Sequence, residues 1–547
     1  MPPLRFRNLP TDFRLGELVR TLFVAMGFTA LFFLWVIKPA VEPKQTALYH
    51  WSGPALNLFL PVGFDFLGVW LLLVILLLAA RLSGGRLRAA IWGGLLFFTP
   101  WFVLTTIHLL ELGPNTRLLD RILLLSAILA TILLATRWRP SFTPIFERIV
   151  DTAGTILVFA GVFGLFLLFQ LTFLGLQASR HMGSFPLHHT AVATLQPHRV
   201  IWIVFDELSH QQTFERRFPG LQLPALDALA ATSTTFTNAQ PFDIFTDNVL
   251  PGLLAGQPLD DIKTSSRVGL SVHNKLSGKW QTFNPYDTVL QDALNGGFST
   301  AVAGWYNPYC RIVASVVDNC YWTFLFPMNM MEPSKSLLSN MLAPVKLFTY
   351  RLLGATPGPV FFYLMKRLHI DLPVALIRQS QIDDYQYLET HSNQLLRDPS
   401  YGFLLLHLPA PHPRGIYDRR TGRFESNGTS SYIDNLALAD KCLVGIRRTL
   451  ELSGQWNSST VIVMGDHSWR TKLWEIEHVW TPEDELATHG GQYDPRPVYI
   501  VKLPNQTTAA RIDAPFQTVN TRKLFDAIMA HTISTPTDLA AWAQSTH

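Results

Sequence analysis

Three places in this sequence carry side chains able to do chemistry together. The run Val200-Ile201-Trp202-Ile203-Val204-Phe205 ends abruptly in two acids, Asp206 and Glu207. Farther on, Thr246 stands in Phe245-Thr246-Asp247-Asn248-Val249-Leu250-Pro251, just ahead of a helix start. Far downstream, Thr460-Val461-Ile462-Val463-Met464 runs into Gly465-Asp466-His467. Carboxylate oxygens and imidazole nitrogens are ligands for zinc and for hard divalent cations. A threonine hydroxyl is a weak nucleophile by itself. Beside a cation it loses its proton more readily and can attack a phosphorus or sulfur centre in line. A helix start adds backbone N–H groups that favour anionic oxygens. Taken singly, each feature has a plainer reading: acids after a strand serve as caps or turns, and a threonine before a helix is an N-cap. Their order along the chain carries the argument.

The elements that would position these groups can be read from the same pattern. Continuous apolar runs of this length read as buried parallel strands, and open α/β sheets place their ligands at strand carboxyl ends. Around them, Leu223–Ala230 reads as a helix and Thr234–Thr237 as a short strand. Asp287–Leu294 is helical with Gly296-Gly297 as its stop, Phe298–Ala303 and Gly402–Leu408 are strands, Tyr432–Leu450 is an amphipathic helix, and Val498–Leu503 closes the sheet. The alternation predicts an α/β soluble domain with a mostly parallel sheet and helices on both faces.

The 547 residues carry a net charge of only +4, with no lysine or arginine cluster, which argues against a nucleic-acid partner. Three cysteines exclude a disulfide scaffold and a cysteine-based zinc site. The long aliphatic stretches concentrate at the N-terminus: Thr21–Ile37, Leu58–Ala80, Ala89–Leu110, Ile122–Thr136 and Ala153–Leu176. About 20 apolar residues cross a bilayer, so residues 1–176 read as a five-helix transmembrane domain, 177–198 as a linker and 199–547 as the catalytic domain. Arg5, Arg7, Arg14, Arg20, Arg81, Arg86, Arg88, Arg137, Arg139 and Arg148 fall on one side of such a topology. Only Lys38, Lys44, Arg117 and Arg121 fall on the other. The positive-inside rule then puts the N-terminus in the cytoplasm and the catalytic domain outside, on a multi-pass inner-membrane anchor. In that compartment Cys310 and Cys320 are expected to pair, while Cys442, mid-helix, reads as a small buried apolar residue. The stretch Phe324–Ile370 interleaves apolar and aromatic groups with Lys346, Arg351, Lys366 and Arg367. That composition suits a segment lying on lipid headgroups or an insertion packed over the sheet.

As an ordered set, these motifs resemble the alkaline phosphatase/sulfatase superfamily. The branch they are most similar to holds the membrane-anchored phosphoethanolamine and phosphoglycerol transferases and lipoteichoic acid synthase. The resemblance runs over roughly residues 199–505. It is carried by Asp206-Glu207, by Phe236-Thr237-Asn238-Ala239, by Thr246 to Gly256, by Leu404-Leu405-Leu406-His407-Leu408 with Pro411-His412-Pro413, by Tyr432-Ile433-Asp434-Asn435 with Asp440, by Val461 to His467, and by Arg496-Pro497-Val498-Tyr499-Ile500. It implies Thr246 as nucleophile and Asp206, Glu207, Asp466 and His467 as ligands of one divalent metal. That metal would be zinc or manganese, with magnesium and calcium fitting less well and a second ion accommodated. The resemblance also places His412 at the transferred group or leaving oxygen, and gives His478 and His489 a substrate or second-metal role or a place on the surface.

Departures from the family pattern narrow the chemistry. Sulfatases need Cys or Ser followed by x-Pro-x-Arg; Thr246-Asp247-Asn248-Val249-Leu250 has neither the convertible residue nor the arginine, which disfavours sulfate-ester hydrolysis. Trp305-Tyr306-Asn307-Pro308-Tyr309-Cys310-Arg311 lacks a histidine that some relatives carry there. Trp305, Tyr306 and Arg311 would then shape a different substrate site, or brace the disulfide. The expected activity is transfer of a phosphoglycerol or phosphoethanolamine headgroup from a phospholipid to an envelope glycan or lipid acceptor, through a phospho-threonine. A phosphodiesterase or sulfatase-like hydrolase of the same fold, or a non-catalytic scaffold, are the alternatives.

Overall fold

The computed structural model describes residues 15–41, 55–83, 87–97, 99, 143–181, 186–189, 198–264, 270–323, 372–426, 429–476 and 479–545, with isolated positions at 336, 338, 341 and 342. The chain divides into two compact units, one built on the described helices up to His181 and the other on described residues 186–323 and 372–545.

In the first unit, helices Leu15–Val41, Ala55–Ser83 and Thr143–His181 are each long and apolar enough to cross a membrane. They cover the first, second and fifth expected spans. Of the third, a shorter apolar helix, Leu87–Phe97, is described. The fourth lies outside the described residues, as does nearly all of the 324–370 stretch. The first and last helices meet through glycine. A Cβ on Gly27 would stand 2.0 Å from the Leu157 carbonyl oxygen, and one on Gly161 would stand 2.3 Å from that of Phe23. Such close backbone approach is how helices associate where no hydrophobic effect drives them together. Within the expected linker, residues 177–181 continue the last helix. Apolar patterning ends at Leu176, but Gln177-Ala178-Ser179-Arg180 offers nothing that breaks a helix.

The second unit is organised on one eight-stranded sheet. Its strands in chain order are β1 (Val200–Phe205), β2 (Thr234–Phe236), β3 (Thr300–Trp305), β4 (Asn319–Thr323), β5 (Phe403–Leu408), β6 (Thr460–Gly465), β7 (Tyr499–Lys502) and β8 (Ala510–Ile512). In space they run β8-β2-β7-β6-β1-β5-β3-β4, all parallel except β7, which is antiparallel to both its neighbours. The strand expected at Val498–Leu503 is present as β7, but it does not close the sheet: β2 and β8 lie beyond it, and it alone reverses direction. Strand β1 sits centrally, pairing Val200 with Thr460 on one side and with Phe403 on the other.

Alternation along β1 explains why the whole run is apolar. Val200, Trp202 and Val204 join one core, with Val249, Leu253 and Leu254 of helix Thr246–Ala255 and Leu524, Phe525 and Ile528 of helix Thr521–Met529. Ile201, Ile203 and Phe205 join the other, with helices Leu372–Arg397 and Tyr432–Leu452. A strand covered on both faces has no polar side to show. The Trp202 ring meets Phe525 at 4.9 Å between centroids. At the end of helix Thr246–Ala255, Gly256 turns with φ of 65°, and Arg522 donates to the Ala255 carbonyl at 2.9 Å. A left-handed C-terminal glycine and a cation on the last carbonyls fix where this helix stops.

Candidate active site

The carboxyl ends of β1, β5 and β6 point the same way, and the residues that follow β1 and β6 converge on the first residue of helix Thr246–Ala255. Thr246 Oγ1 lies 2.9 Å from Asp466 Oδ2, 3.1 Å from Asp206 Oδ2 and 3.2 Å from His467 Nε2. All four residues are buried. Asp466 is held by two backbone donors on its other oxygen, Glu207 N at 3.0 Å and His467 N at 2.8 Å. His467 places Nδ1 3.0 Å from the Ser468 carbonyl, which directs Nε2 at the cluster.

A further ligand candidate emerges from β5. His407 is buried, with Nε2 3.8 Å from Asp206 Oδ2 and Nδ1 2.9 Å from the Tyr309 hydroxyl. Asp206, His407 and Asp466 form one group able to hold a cation, and Asp206, Glu207 and His467 form another. No role was expected of His407, although one signal was present: a single polar residue inside Leu404-Leu405-Leu406-His407-Leu408. Its neighbour on β3 is Gly304, where a Cβ would stand 2.3 Å from the Tyr309 ring. Gly304→Ala must therefore displace Tyr309 and release the His407 ring. We expect a stability loss of ~1–3 kcal/mol and a metal affinity lowered by about 10-fold or more, read by metal titration of the purified chain.

The electrostatics suit a site able to take a cation. Burial and the nearby Asp466 hold the Asp206 carboxyl well above the usual carboxylate range, and burial raises Asp466 too. Burial pushes His407 down to about 4, and burial with the Arg470 charge pushes His467 down to about 3, so both rings are neutral and able to ligate. Asp206 Oδ1 and His407 Nε2 are buried without a hydrogen-bond partner. Acids forced toward neutrality, neutral imidazoles and orphaned acceptors fit a divalent cation, which would satisfy the lone pairs and offset the repulsion between Asp206 and Asp466.

Other expected residues divide into near and far. Glu207, φ 67°, sends its carboxylate to Arg470 Nε at 2.5 Å and to Trp474 Nε1 at 2.9 Å. Arg470 was not anticipated, because its pairing with Glu207 spans 263 residues of sequence. His412 is half-buried, its ring edge-on to Trp305 at 4.6 Å, and burial and Arg470 hold it well below its ordinary pKa. Asn435 Nδ2 donates to the His412 carbonyl at 3.1 Å and so braces that loop. Tyr306 adjoins the site: burial and the neighbouring Asp247 raise its hydroxyl pKa. Trp305, expected to shape a substrate site or to brace the disulfide, is 0% exposed, a buried wall behind His412, because it is the last residue of a strand covered on both faces. Arg311 is likewise buried, on the short helix Tyr309–Ile312 tied to β4 by the Cys310–Cys320 disulfide. His489 is exposed beyond helix Pro482–Ala487 and outside both ligand groups; His478 lies outside the described residues. Cys442 is buried and its thiol is pushed up to about 12 by burial, as a packing residue requires.

Comparison with solved structures gives distant likenesses. One is "Ps i-CgsB in complex with k-i-k-neocarrahexaose", at 13% identity and TM-score 0.38 over 63% of this chain and 74% of that one. The phosphonate monoester hydrolase of Agrobacterium radiobacter matches at 13% identity and TM-score 0.34, over 61% and 73%. The lipoteichoic acid synthase LtaP from Listeria monocytogenes matches at 13% and 0.30, over 58% and 68%. At these scores none carries an argument about activity. No curated protein sequence matches. The sulfatase family model matches residues 198–496, which is more than half of the chain and takes in Asp206, Thr246, His407, Asp466 and His467. With that span and its buried acid–histidine–threonine cluster, the chain belongs to the sulfatase family of the alkaline phosphatase-like superfamily.

Proposed function

We propose that this protein is a membrane-anchored transferase that moves a phosphorus-containing headgroup, phosphoglycerol or phosphoethanolamine, from a phospholipid to an envelope glycan or lipid acceptor. The observation that carries the reading is Thr246 Oγ1 within 3.2 Å of two carboxylates and an imidazole, at a helix N-terminus. Three N-terminal helices apt to cross a membrane favour a lipid donor. The missing Cys/Ser-x-Pro-x-Arg sequence speaks against sulfate esters. The arginine distribution supports a cytoplasmic N-terminus and an outward catalytic unit, and the Cys310–Cys320 disulfide suits an oxidising compartment.

Asp206, Asp466, His467 and His407 would hold the divalent cation, zinc or manganese. When bound, it supplies charge stabilisation to phosphoryl oxygens and eases loss of the threonine proton. Thr246 Oγ1 attacks the donor phosphorus and passes its proton to Asp466, 2.9 Å away. The phosphorus–oxygen bond to diacylglycerol breaks, the departing oxygen takes the proton held by Asp466, and the phosphoryl group stays on Thr246. By the family resemblance, His412, on a loop braced by Asn435, would act at the leaving oxygen. An acceptor hydroxyl then attacks the same phosphorus, and its proton goes to the released Thr246 oxygen, which restores the site.

The test is product analysis with the full chain in vesicles of headgroup-labelled phospholipid, with envelope acceptors present. We expect label on a glycan or lipid acceptor. Label released only as free phosphoglycerol or phosphoethanolamine would replace transfer with hydrolysis.

A further inference from the structure

The segment after the His467 ligand position is built to hold one cation. Trp469 stacks on Tyr432 with centroids 3.9 Å apart and planes 6° from parallel, and Trp474 packs edge-on against both rings. The Tyr432 hydroxyl donates to the Glu207 carbonyl at 2.7 Å and accepts from Ser209 N at 3.1 Å, which fixes Glu207 in its left-handed conformation. Two carboxylate contacts follow from that conformation: Oε2 accepts from Trp474 Nε1 at 2.9 Å and Oε1 from Arg470 Nε at 2.5 Å. Arg470 Nη1 donates to the Ile244 carbonyl at 3.4 Å, two residues before Thr246. Only Nη2 remains. It is buried, has no hydrogen-bond partner, and lies 4.0 Å from Asp206 Oδ1, on the carboxylate whose other oxygen touches Thr246.

A guanidinium serving only as counterion to Glu207 would face it with two nitrogens side by side, the strongest arrangement for that pair. Here the carboxylate takes only Nε of the guanidinium and a backbone carbonyl takes Nη1, which leaves Nη2 beside the nucleophile. We propose that Arg470 is the anion-binding residue of this site, donating through Nη2 to a non-bridging oxygen of the phosphoryl group that Thr246 attacks, and that Glu207 holds Arg470 rather than the cation. The assignment rests on the phosphoryl-transfer reading and names a residue for it. It also reduces the expected ligand set to Asp206, Asp466, His467 and His407.

Inorganic phosphate is the probe, titrated into the manganese-loaded full chain in detergent, with manganese content measured in parallel. Arg470→Met should weaken phosphate binding about 10- to 100-fold, the size of a lost charge-assisted hydrogen bond, with manganese content unchanged. Arg470→Lys, a point charge without the fork, should recover only part of that affinity. Glu207→Gln should keep manganese and lose phosphate affinity. If Arg470→Met does not fold, the double change Glu207→Gln with Arg470→Met removes both buried charges together and allows the same measurement. Phosphate affinity left unchanged by loss of Arg470, or manganese lost in Glu207→Gln, would overturn the assignment. Phosphate binding does not depend on what finally accepts the headgroup, so this result stands apart from the product assay.

Discussion

Thr246→Ala should lower turnover by roughly 10⁴-fold or more, the scale seen when a covalent nucleophile is deleted from an otherwise intact site, while the protein stays folded. In the proposed reaction the hydroxyl forms and then releases the bond to phosphorus, from the first residue of a helix. Its neighbours are acceptors or cation ligands. Stability should change little: alanine keeps the helical position, and the lost hydroxyl removes one hydrogen-bond donor shared by two buried acids, worth about 1 kcal/mol. Thr246→Ser keeps the oxygen and should retain a measurable rate. Circular dichroism paired with the labelled-lipid assay reads both quantities. An alanine variant that turns over at near the original rate would end the nucleophile assignment.

Asp206→Asn is expected to move stability in opposite directions with and without metal. The folded carboxyl has its pKa raised above the unfolded value, so its contribution is most favourable below pH 4 and is lost as pH rises toward the folded pKa. At neutral pH the metal-free protein therefore carries a cost at Asp206 that is absent in acid. Asparagine removes the charge and also the like-charge contact with Asp466. The metal-free variant should melt higher, by a shift on the order of 2 °C per kcal/mol recovered in a domain this large. Saturating manganese or zinc should stabilise the unaltered chain by about 2.7 kcal/mol at a hundredfold excess over Kd and the variant hardly at all. Thermal melts across pH 5–8, with and without metal, separate the two effects. A variant that melts lower without metal would show that Asp206 is held by something other than a cation site.

The parts of the site that could be read in advance sit where a strong local signal stops. Asp206 and Asp466-His467 each end an unbroken apolar run, and a run long enough to be buried on both faces announces its own carboxyl terminus. Thr246 was locatable because Gly256, ten residues on, punctuates the helix it begins. His407 was harder, because it lies inside the strand period, where one histidine among leucines is as compatible with packing as with ligation. Arg470 gives no local signal at all. Its meaning depends on Glu207 adopting a positive φ and on an aromatic stack formed by Tyr432, Trp469 and Trp474, none of which a pattern of apolar residues encodes. For Trp305 the pattern left two readings open, since a large aromatic before a polar loop can serve a site or pack, and only the strand extending through it shows that the ring is buried.

The strand order has a consequence for how the polypeptide is made. β2 hydrogen-bonds only to β7 and β8, which lie more than 260 residues later in the chain. As the chain leaves the ribosome, β2 emerges early with both edges bare and waits for nearly the whole sequence. β6, carrying the last ligands, likewise has one uncovered edge until β7 arrives. Open edges of this kind invite pairing with other chains. The nascent protein should therefore need shielding until β7 and β8 are made, and a chain cut before Tyr499 should aggregate rather than yield a smaller working enzyme.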